Sequence, residues 1–428
     1  MGNDYDLAVI GGGPAGMAAA LAAKKNGVEN IIIFERDRYL GGILPQCIHN
    51  GFGLEYFDTE LTGPEYAARF IEETRESGID ILLETMVMDI SRDKVVTALN
   101  RSDGILKINV GAVFLAMGCR ERTRENLKIP GNRPAGVLTA GTAQRYTNIE
   151  GYIPGKKVII LGSGDIGLIM ARRMTLEGAE VKSVLELLPF VGGLIRNKVQ
   201  CLDDFDIPLH LQHTITRIEG EKRVERVKVA EVDDNLQVIP GKEKWIDCDT
   251  VLLSVGLIPE NELTKGMGLE LDQRTGGPIV NEARETEIEG VFAAGNVLHV
   301  HDLVDWVTEE SEIAGQAIAK YLTGSWDKRK SSIEISPGNN VNYVIPNRIE
   351  LVSEERKFVK LFLRVNQPLT DVRIIVENKG EELVSFKRDF AFPGEMLNII
   401  LPEKTIKPAV KKLIVSVVRQ ESGGNDEK

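Results

Sequence analysis

Two stretches of this chain carry residue types at a spacing that does chemistry. In the first, Leu7-Ala8-Val9-Ile10 runs into Gly11-Gly12-Gly13-Pro14-Ala15-Gly16, and a second apolar run, Ile31-Ile32-Ile33-Phe34, ends on Glu35. In the second, Val158-Ile159-Ile160-Leu161 runs into Gly162-Ser163-Gly164-Asp165-Ile166-Gly167, and Val181-Lys182-Ser183-Val184-Leu185 ends on Glu186. The third glycine and the acid are nineteen positions apart in both. Strand, glycine turn, helix and acid-terminated strand are the parts of a dinucleotide cradle. Gly11 and Gly162 turn the chain, Gly13 and Gly164 admit a pyrophosphate to the backbone amides, and Gly16 and Gly167 let helix meet strand. The phosphates then lie at a helix N-terminus, beside Pro14 and Ala15 in one copy and Asp165 in the other. In a chain with 42 glycines one such turn is unremarkable; the second copy is what turns spacing into signal.

Other reactive side chains are sparse. The four cysteines, Cys47, Cys119, Cys201 and Cys248, are widely spaced with no CxxC, which argues against a disulfide framework, a zinc site or an iron-sulfur cluster. His210-x-x-His213 and His299-x-His301 have no carboxylate or thiolate at ligand spacing, so solvated or core histidines are expected and no metal site is.

The elements that must position these residues follow from the pattern. At 428 residues the chain is long enough for two or three domains. Its 43% hydrophobic and 27% charged residues are those of an ordinary globular protein. A net charge of −12 argues against nucleic acid as the main partner, because phosphate-backbone binding needs a basic face. Asp4 and Asp6 stand where an export signal would be basic, and no apolar run approaches the roughly 20 residues of a spanning helix. A cytoplasmic protein is expected. Thr62 or Gly63 caps a helix that has Pro64 in its first turn and runs to about Ser77. Strands follow over 79–90, 94–97 and 105–110, then a buried strand, Val113-Phe114-Leu115-Ala116-Met117, ends on Gly118. That last landmark has an echo in Val251-Leu252-Leu253-Ser254-Val255-Gly256, so the duplication extends beyond the cradles. The second unit has its own meander near 208–238, and Asp302 to Tyr321 is patterned as a helix. Beyond Lys330, short alternating segments between Pro and Gly turns suggest a β-sandwich, and the tail from Glu421 is expected to be disordered.

The loop Gly41-Gly42-Ile43-Leu44-Pro45-Gln46-Cys47-Ile48-His49-Asn50 and the later Gly290-Val291-Phe292-Ala293-Ala294-Gly295-Asn296 add a family likeness. With them, residues 1 to about 325 resemble the thioredoxin-reductase-like flavoproteins. The resemblance implies an α/β fold with two Rossmann-like domains, to which the strand pattern beyond Lys330 adds a C-terminal all-β unit that the likeness does not cover. The FAD-binding domain would comprise residues 1–119 and 286–328, the NAD-binding domain 120–285 and the β domain 329–428. It implies FAD contacts at Gly42, Asn50, Val87 (backbone to adenine), Gly295 and Asn296, where relatives usually carry Asp, with Arg36, Ala116 and Gly118 alongside. Gly256 is the matching landmark of the NAD unit. The N-terminus of the helix after Asp302 would face the flavin pyrimidine. NADPH-specific relatives have basic residues just beyond the second acid, whereas Leu187-Leu188-Pro189-Phe190 follows here, so NADH is expected; Arg196 is the residue that would argue otherwise.

Thioredoxin reductases place a CxxC in the middle domain, but Gly136 to Ala143 contains no cysteine. Gly41–Cys47, Gly295-Asn296 and Val300–Trp306 look like the FAD/NAD subunits that accompany anaerobic glycerol-3-phosphate dehydrogenases and some amine or opine dehydrogenases. This likeness implies electron relay between NADH and a second dehydrogenase, iron-sulfur or flavin subunit, within an oligomer or hetero-complex. Two other readings stand beside it: a stand-alone disulfide, peroxide or oxygen reductase using Cys47, and a non-enzymatic flavin or nucleotide sensor. Cys47 itself is either a redox thiol or a small side chain packed in its loop.

Overall fold

The computed structural model describes residues 4–325, 331–351, 358–402, 405–406 and 410–420; the tail expected to be disordered lies outside them. The strand Tyr5–Ile10 is central to the first sheet. It pairs in parallel with Ile31–Phe34 on one side and with the end of Gly104–Leu115 on the other. Gly104–Leu115 has two characters. Residues 104–109 alternate in burial and pair antiparallel with Val95–Asn100, whereas 112–115 are buried without interruption between parallel neighbours. A strand covered on both faces reads as a continuous apolar run, and one wet face produces alternation. After the second unit the chain returns: Val291–Ala293 pairs in parallel with the same strand, Val291 opposite Val113.

The helix Pro14–Lys25 is buried over nearly every face between Ala15 and Ala23, because it lies between the sheet and the helix Val304–Leu322. Small side chains permit that approach: a Cβ on Gly315 would come within 2.4 Å of the Ala19 carbonyl oxygen. The helix Gly63–Glu76 starts from Thr62 with a reciprocal cap, the Glu65 amide donating to Thr62 Oγ1 and the Thr62 amide to the Glu65 carboxylate.

The second parallel sheet has the order Val137–Thr139, Thr250–Leu253, Lys157–Leu161, Glu180–Leu185, Leu209–His210, followed by a three-stranded antiparallel meander over 213–247. Leu257–Pro259 and Cys119–Glu121 pair antiparallel where the chain passes between the two units. The C-terminal strands form a five-stranded and a three-stranded sheet around one apolar core, to which Ile333, Leu361, Ile374, Ile399 and Leu413 contribute. This unit is not a loose appendage. Tyr343 and Ile345 leave that core and are buried in the core of the first unit with Val113, Val291 and Leu298.

An ion cluster lies at the same junction. Glu310 is fully buried on the long helix; its Oε1 accepts from Arg284 Nε at 2.9 Å and from His299 Nε2 at 3.1 Å, and its Oε2 accepts from the Gly295 amide at 2.9 Å. His301 Nε2 faces the same carboxylate at 3.4 Å, while its Nδ1 donates to the His299 carbonyl. The two histidines are core residues, one of the two outcomes expected, but the carboxylate that sequence spacing did not supply comes from Glu310, in the second turn of the next helix. These three side chains could in principle hold a cation. Here the Arg284 guanidinium and the Gly295 amide already occupy the carboxylate, and a second positive charge beside Arg284 would be repelled. His299 and Arg284 help hold Glu310 far below the usual carboxylate range despite its burial, and burial drives His301 down to about 3.

Removing Glu310 leaves the Arg284 charge buried and unpaired, so Glu310→Ala is expected to lower stability by about 3–5 kcal/mol in urea unfolding. His301 is neutral when folded but takes up a proton below its ordinary value of 6.5 when unfolded. The unfolded state therefore binds more protons between pH 6.5 and about 3. Stability contributed by this group is present above pH 6.5 and falls through that window by up to about 1.4 kcal/mol per pH unit. A His301→Gln variant should show a shallower acid slope in the same titration.

Candidate functional site: two glycine cradles

Both acids fold back onto their own glycine turns. Glu35, nearly inaccessible at the end of its strand, accepts from the Gly12 amide at 2.8 Å and the Asp37 amide at 2.7 Å. Glu186 accepts from the Ser163 amide at 2.8 Å and the Leu188 amide at 2.9 Å. The partners are at equivalent positions, 23 residues before and two after each acid. In the second copy Ser163 Oγ adds a 2.5 Å bond to Glu186, for which the first copy has only a glycine.

The glycines divide into two kinds. Gly11 has φ +111° and a Cβ there would lie 2.5 Å from the Ala116 carbonyl oxygen; Gly162 has φ +97° and would meet the Ser254 carbonyl oxygen at 2.1 Å. Gly16 and Gly167 are pressed against the carbonyls of Gly11 and Gly162. The protein itself excludes a side chain at these positions. Gly13 and Gly164 differ: a Cβ on Gly13 would come no nearer than 3.7 Å to any neighbour, and on Gly164 no nearer than 3.4 Å. Packing does not require glycine there, whereas a pyrophosphate against the backbone would. Glycine at these two positions is therefore consistent with the close backbone approach of phosphates that the sequence pattern calls for.

Of the remaining first-unit positions, Gly42, Ala116 and Gly295 gather near this turn, whereas Val87 lies in the antiparallel arm and Asn50 in a separate two-stranded sheet. Gly42, at φ +58°, approaches Gly13 across the turn, with Pro14 beside it. Ala116 is buried and its amide bonds to Ile10 at the mouth of the sheet, with Gly118 two residues beyond at φ +70°. A Cβ on Gly295 would touch Ala15 at 3.0 Å, which brings the returning chain onto the cradle. Asn296 accepts from the His301 amide at 3.0 Å and donates to Cys119 Sγ at 3.5 Å; an aspartate would keep the first bond, but in the second it could only accept the thiol S–H. Val87 is buried in the antiparallel arm beside a strand irregularity, Arg36 is exposed, and Asn50 is exposed and paired opposite Thr62. Asp305, in the first turn of the long helix, accepts from the amides of Gly53 and Tyr56. Its buried carboxylate opposes the positive end of the helix dipole, so the field there is weaker than the bare helix would supply.

The second cradle carries features that had no sequence signal. Residues 192–194 fold over the glycine turn: the Gly192 amide donates to Ser163 Oγ at 2.8 Å, Gly193 to the Ser163 carbonyl, and Leu194 to Asp165 Oδ1. Gly394 from the β-sandwich packs so closely on Gly192 that a Cβ would fall 2.5 Å from its carbonyl oxygen. The Met396 amide and Arg364 both bond to the Asp302 carboxylate, and Arg364 also reaches the Pro393 and Val300 carbonyls. The β unit thus borders the second cradle directly. Gly256, at φ +96°, is open, and its carbonyl accepts from the Arg122 amide.

Cys47 lies half-buried under Gly63, with Sγ 3.5 Å from the Ile43 carbonyl and 3.9 Å from Gln144 Oε1. Burial pushes its thiol up to about 12, and no cation appears among the causes. Cys119 is likewise raised, to about 11. All four cysteines are free.

A family model described as pyridine nucleotide-disulphide oxidoreductase matches residues 5–320. One of the opine oxidase subunits of Agrobacterium tumefaciens is 26% identical over 68% of this chain and 61% of its own length, so the chain spans less than two thirds of that relative. Dihydrolipoyl dehydrogenase of Caenorhabditis elegans is 27% identical over 74% of the chain and 68% of its own length. Among solved structures, thioredoxin reductase of T. acidophilum aligns with a TM-score of 0.62 at 23% identity, covering 76% of this chain and 100% of the other. An NAD-dependent persulfide reductase from A. fulgidus covers 97% of this chain and 74% of its own at 0.59 and 18% identity. These two likenesses are of fold.

Two glycine variants separate the phosphate role from packing. Gly13→Ala is expected to leave the flavin-free protein within about 1 kcal/mol of its parent. The same variant should weaken FAD at least tenfold, about 1.4 kcal/mol, in a fluorescence titration. Gly11→Ala, blocked by φ and by Ala116, should instead lower stability itself.

Proposed function

We propose, from the premise that the chain belongs to the pyridine nucleotide-disulphide oxidoreductase family, that it passes electrons between NADH and a partner redox subunit. The coarser activity follows from the family: it is an FAD-dependent NAD(P)H oxidoreductase. FAD, when bound, supplies the hydride chemistry, and the protein supplies position and charge. In this reading the first cradle holds FAD, and the second receives the nicotinamide dinucleotide.

The observation that carries the reading is the repeated bond from a strand-end carboxylate to its own glycine turn. Each carboxylate ties its turn to the end of the next strand and keeps acceptor capacity for ribose hydroxyls. At Glu186 the charge would also repel a 2′-phosphate. Arg196, the first basic residue after Glu186, stands with its guanidinium against Gly51 of the first unit. Both features favour NADH.

The partner subunit is favoured by cysteine chemistry. A thiol held near 12 carries almost no thiolate at neutral pH, which disfavours a reductase working through Cys47. Two relatives carry names that mark them as parts of larger enzymes, the opine oxidase subunit and the small chain of glutamate synthase. The specific setting we favour, a glycerol-3-phosphate-type dehydrogenase assembly, rests on the likeness of Gly41–Cys47 and Val300–Trp306 to such subunits.

Stopped-flow bleaching of the flavin should be at least tenfold faster per molar NADH than NADPH, and Glu186→Ala should narrow that ratio; equal rates in the parent would remove the NADH assignment. Cys47→Ser should leave NADH-to-dye electron transfer within about twofold, a shift of ~0.4 kcal/mol. A loss of transfer in that variant would restore the thiol mechanism.

A further inference from the structure

A cavity of about 460 Å³ opens between residues 48–51 of the first unit and two helices of the second, Asp165–Leu176 and Ile195–Cys201. None of the residues lining it belongs to the Gly162–Gly167 turn, and Glu186 does not border it. It is therefore set apart from the positions that hold a nucleotide's pyrophosphate and adenosine ribose in the reading above.

Its charge is unusual for this protein. Arg172, Arg173 and Arg196 line the cavity against a single carboxylate, Glu60. Arg173 is engaged, pairing with Glu177 at 2.7 Å and donating to Asn148 at 2.9 Å. Among the described residues, neither Arg172 nor Arg196 has a carboxylate within ion-pair distance; the Arg172 charge acts on the Cys201 thiol and on His49, and Glu395 feels the Arg196 charge. What sets these two guanidiniums apart is their place: in a chain with 64 acidic and 52 basic residues they face one concave surface whose lining holds a single carboxylate.

The backbone makes room for this arrangement. Gly51 has φ +111°, and a Cβ there would lie 2.9 Å from an Arg196 nitrogen, so the glycine lets that guanidinium lie across the cleft from the second unit onto the first. Gln200 borders the same space, as does Asn50, which the family likeness had implied as an FAD contact. His49, between them, is held below its usual range by burial, with the charges of Arg172 and Arg196 adding to that against the Asn50 carbonyl and Asp165.

We propose that this cleft is a separate binding site for a small organic anion carrying a phosphate or two or more carboxylates, gripped between Arg172 and Arg196. Guanidiniums bind both groups through paired N–H donors, and a cavity of this volume holds a metabolite-sized molecule. The site rests on the two-cradle reading only for its being separate from the nucleotide, and it deepens that reading by giving the enzyme a place for a second, non-nucleotide ligand.

The test is calorimetric titration of the flavin-loaded, full-length protein at low ionic strength, with citrate and inorganic phosphate in separate arms and NADH in a third. We expect at least one anion to bind, and to weaken tenfold or more in Arg172→Met and in Arg196→Met. Arg196→Lys should retain part of the affinity, and the NADH dissociation constant should stay within twofold in all three variants. Binding of citrate alone would assign the site to carboxylates, and of phosphate alone to phosphate esters. Absence of binding by both anions would overturn the proposal. So would loss of NADH affinity in parallel, or competition between anion and NADH, since the arginines would then serve the nucleotide. Failure of NADH to reduce the flavin while anion binding persists would count against the proposed function and leave this site standing.

Discussion

A carboxylate buried at the end of a strand has to be met by donors, and in this protein that requirement shapes both cradles. Glu35 and Glu186 are each nearly inaccessible, with no lysine or arginine bonded to them among the described residues, and backbone amides satisfy them instead. A carboxylate satisfied by N–H groups is worth more than a neutral pair of the same geometry. It also has a directional effect, because the amides it takes, Gly12 and Ser163, are the ones facing the strand. The following amides, at Gly13 and Gly164, have no hydrogen-bond partner among the described residues. Strand and turn are thereby held together by the protein's own bonds, and a turn fixed in advance lowers the ordering cost of any ligand it takes.

The third unit is joined to this machinery by burial and charge together. Tyr343 and Ile345 complete an apolar core begun by the first sheet, and Lys360 pairs with Glu309 while lying over the Trp306 ring at 4.2 Å. Arg364 bonds simultaneously to Asp302, Val300 and Pro393. Asp302 also accepts from the Met396 amide, so one carboxylate ties the segment leading into the long helix to the turn that packs on Gly192. The β-sandwich therefore braces the approach to the second cradle as well as the core of the first unit. Its contacts run to both halves of the duplicated architecture.

Electrostatics follows the same division of labour. The overall charge is strongly negative, and some arginines are neutralised locally, as Arg173 is by Glu177 and Arg145 by Asp37. Arg172 and Arg196 in the cleft near Gly51 matter because they share one concave surface in an acidic protein. An uncompensated guanidinium in a concave site concentrates anions there, and does so most strongly where salt screens least.

Much of this was legible in the chain because it is local. The glycine spacing, the apolar runs and the strand-end acids sit within about 35 residues of one another, and steric limits on φ and on helix–strand approach leave few alternatives for them. Thr62 as a helix cap and the double character of the strands around residue 110 belong to the same class. What the sequence could not decide depends on residues far apart in the chain. Glu310 supplies the acid that His299 and His301 lacked only because a helix lays it there, and Asn296 meets Cys119 only because the last parallel strand returns to the first sheet. Gly394 on Gly192 and Arg196 on Gly51 likewise join separate units. Such contacts are set by how sheets and helices pack, which no periodicity encodes, so the sequence by itself determined two glycine turns closed by strand-end acids, while tertiary structure alone decided which charges share a surface.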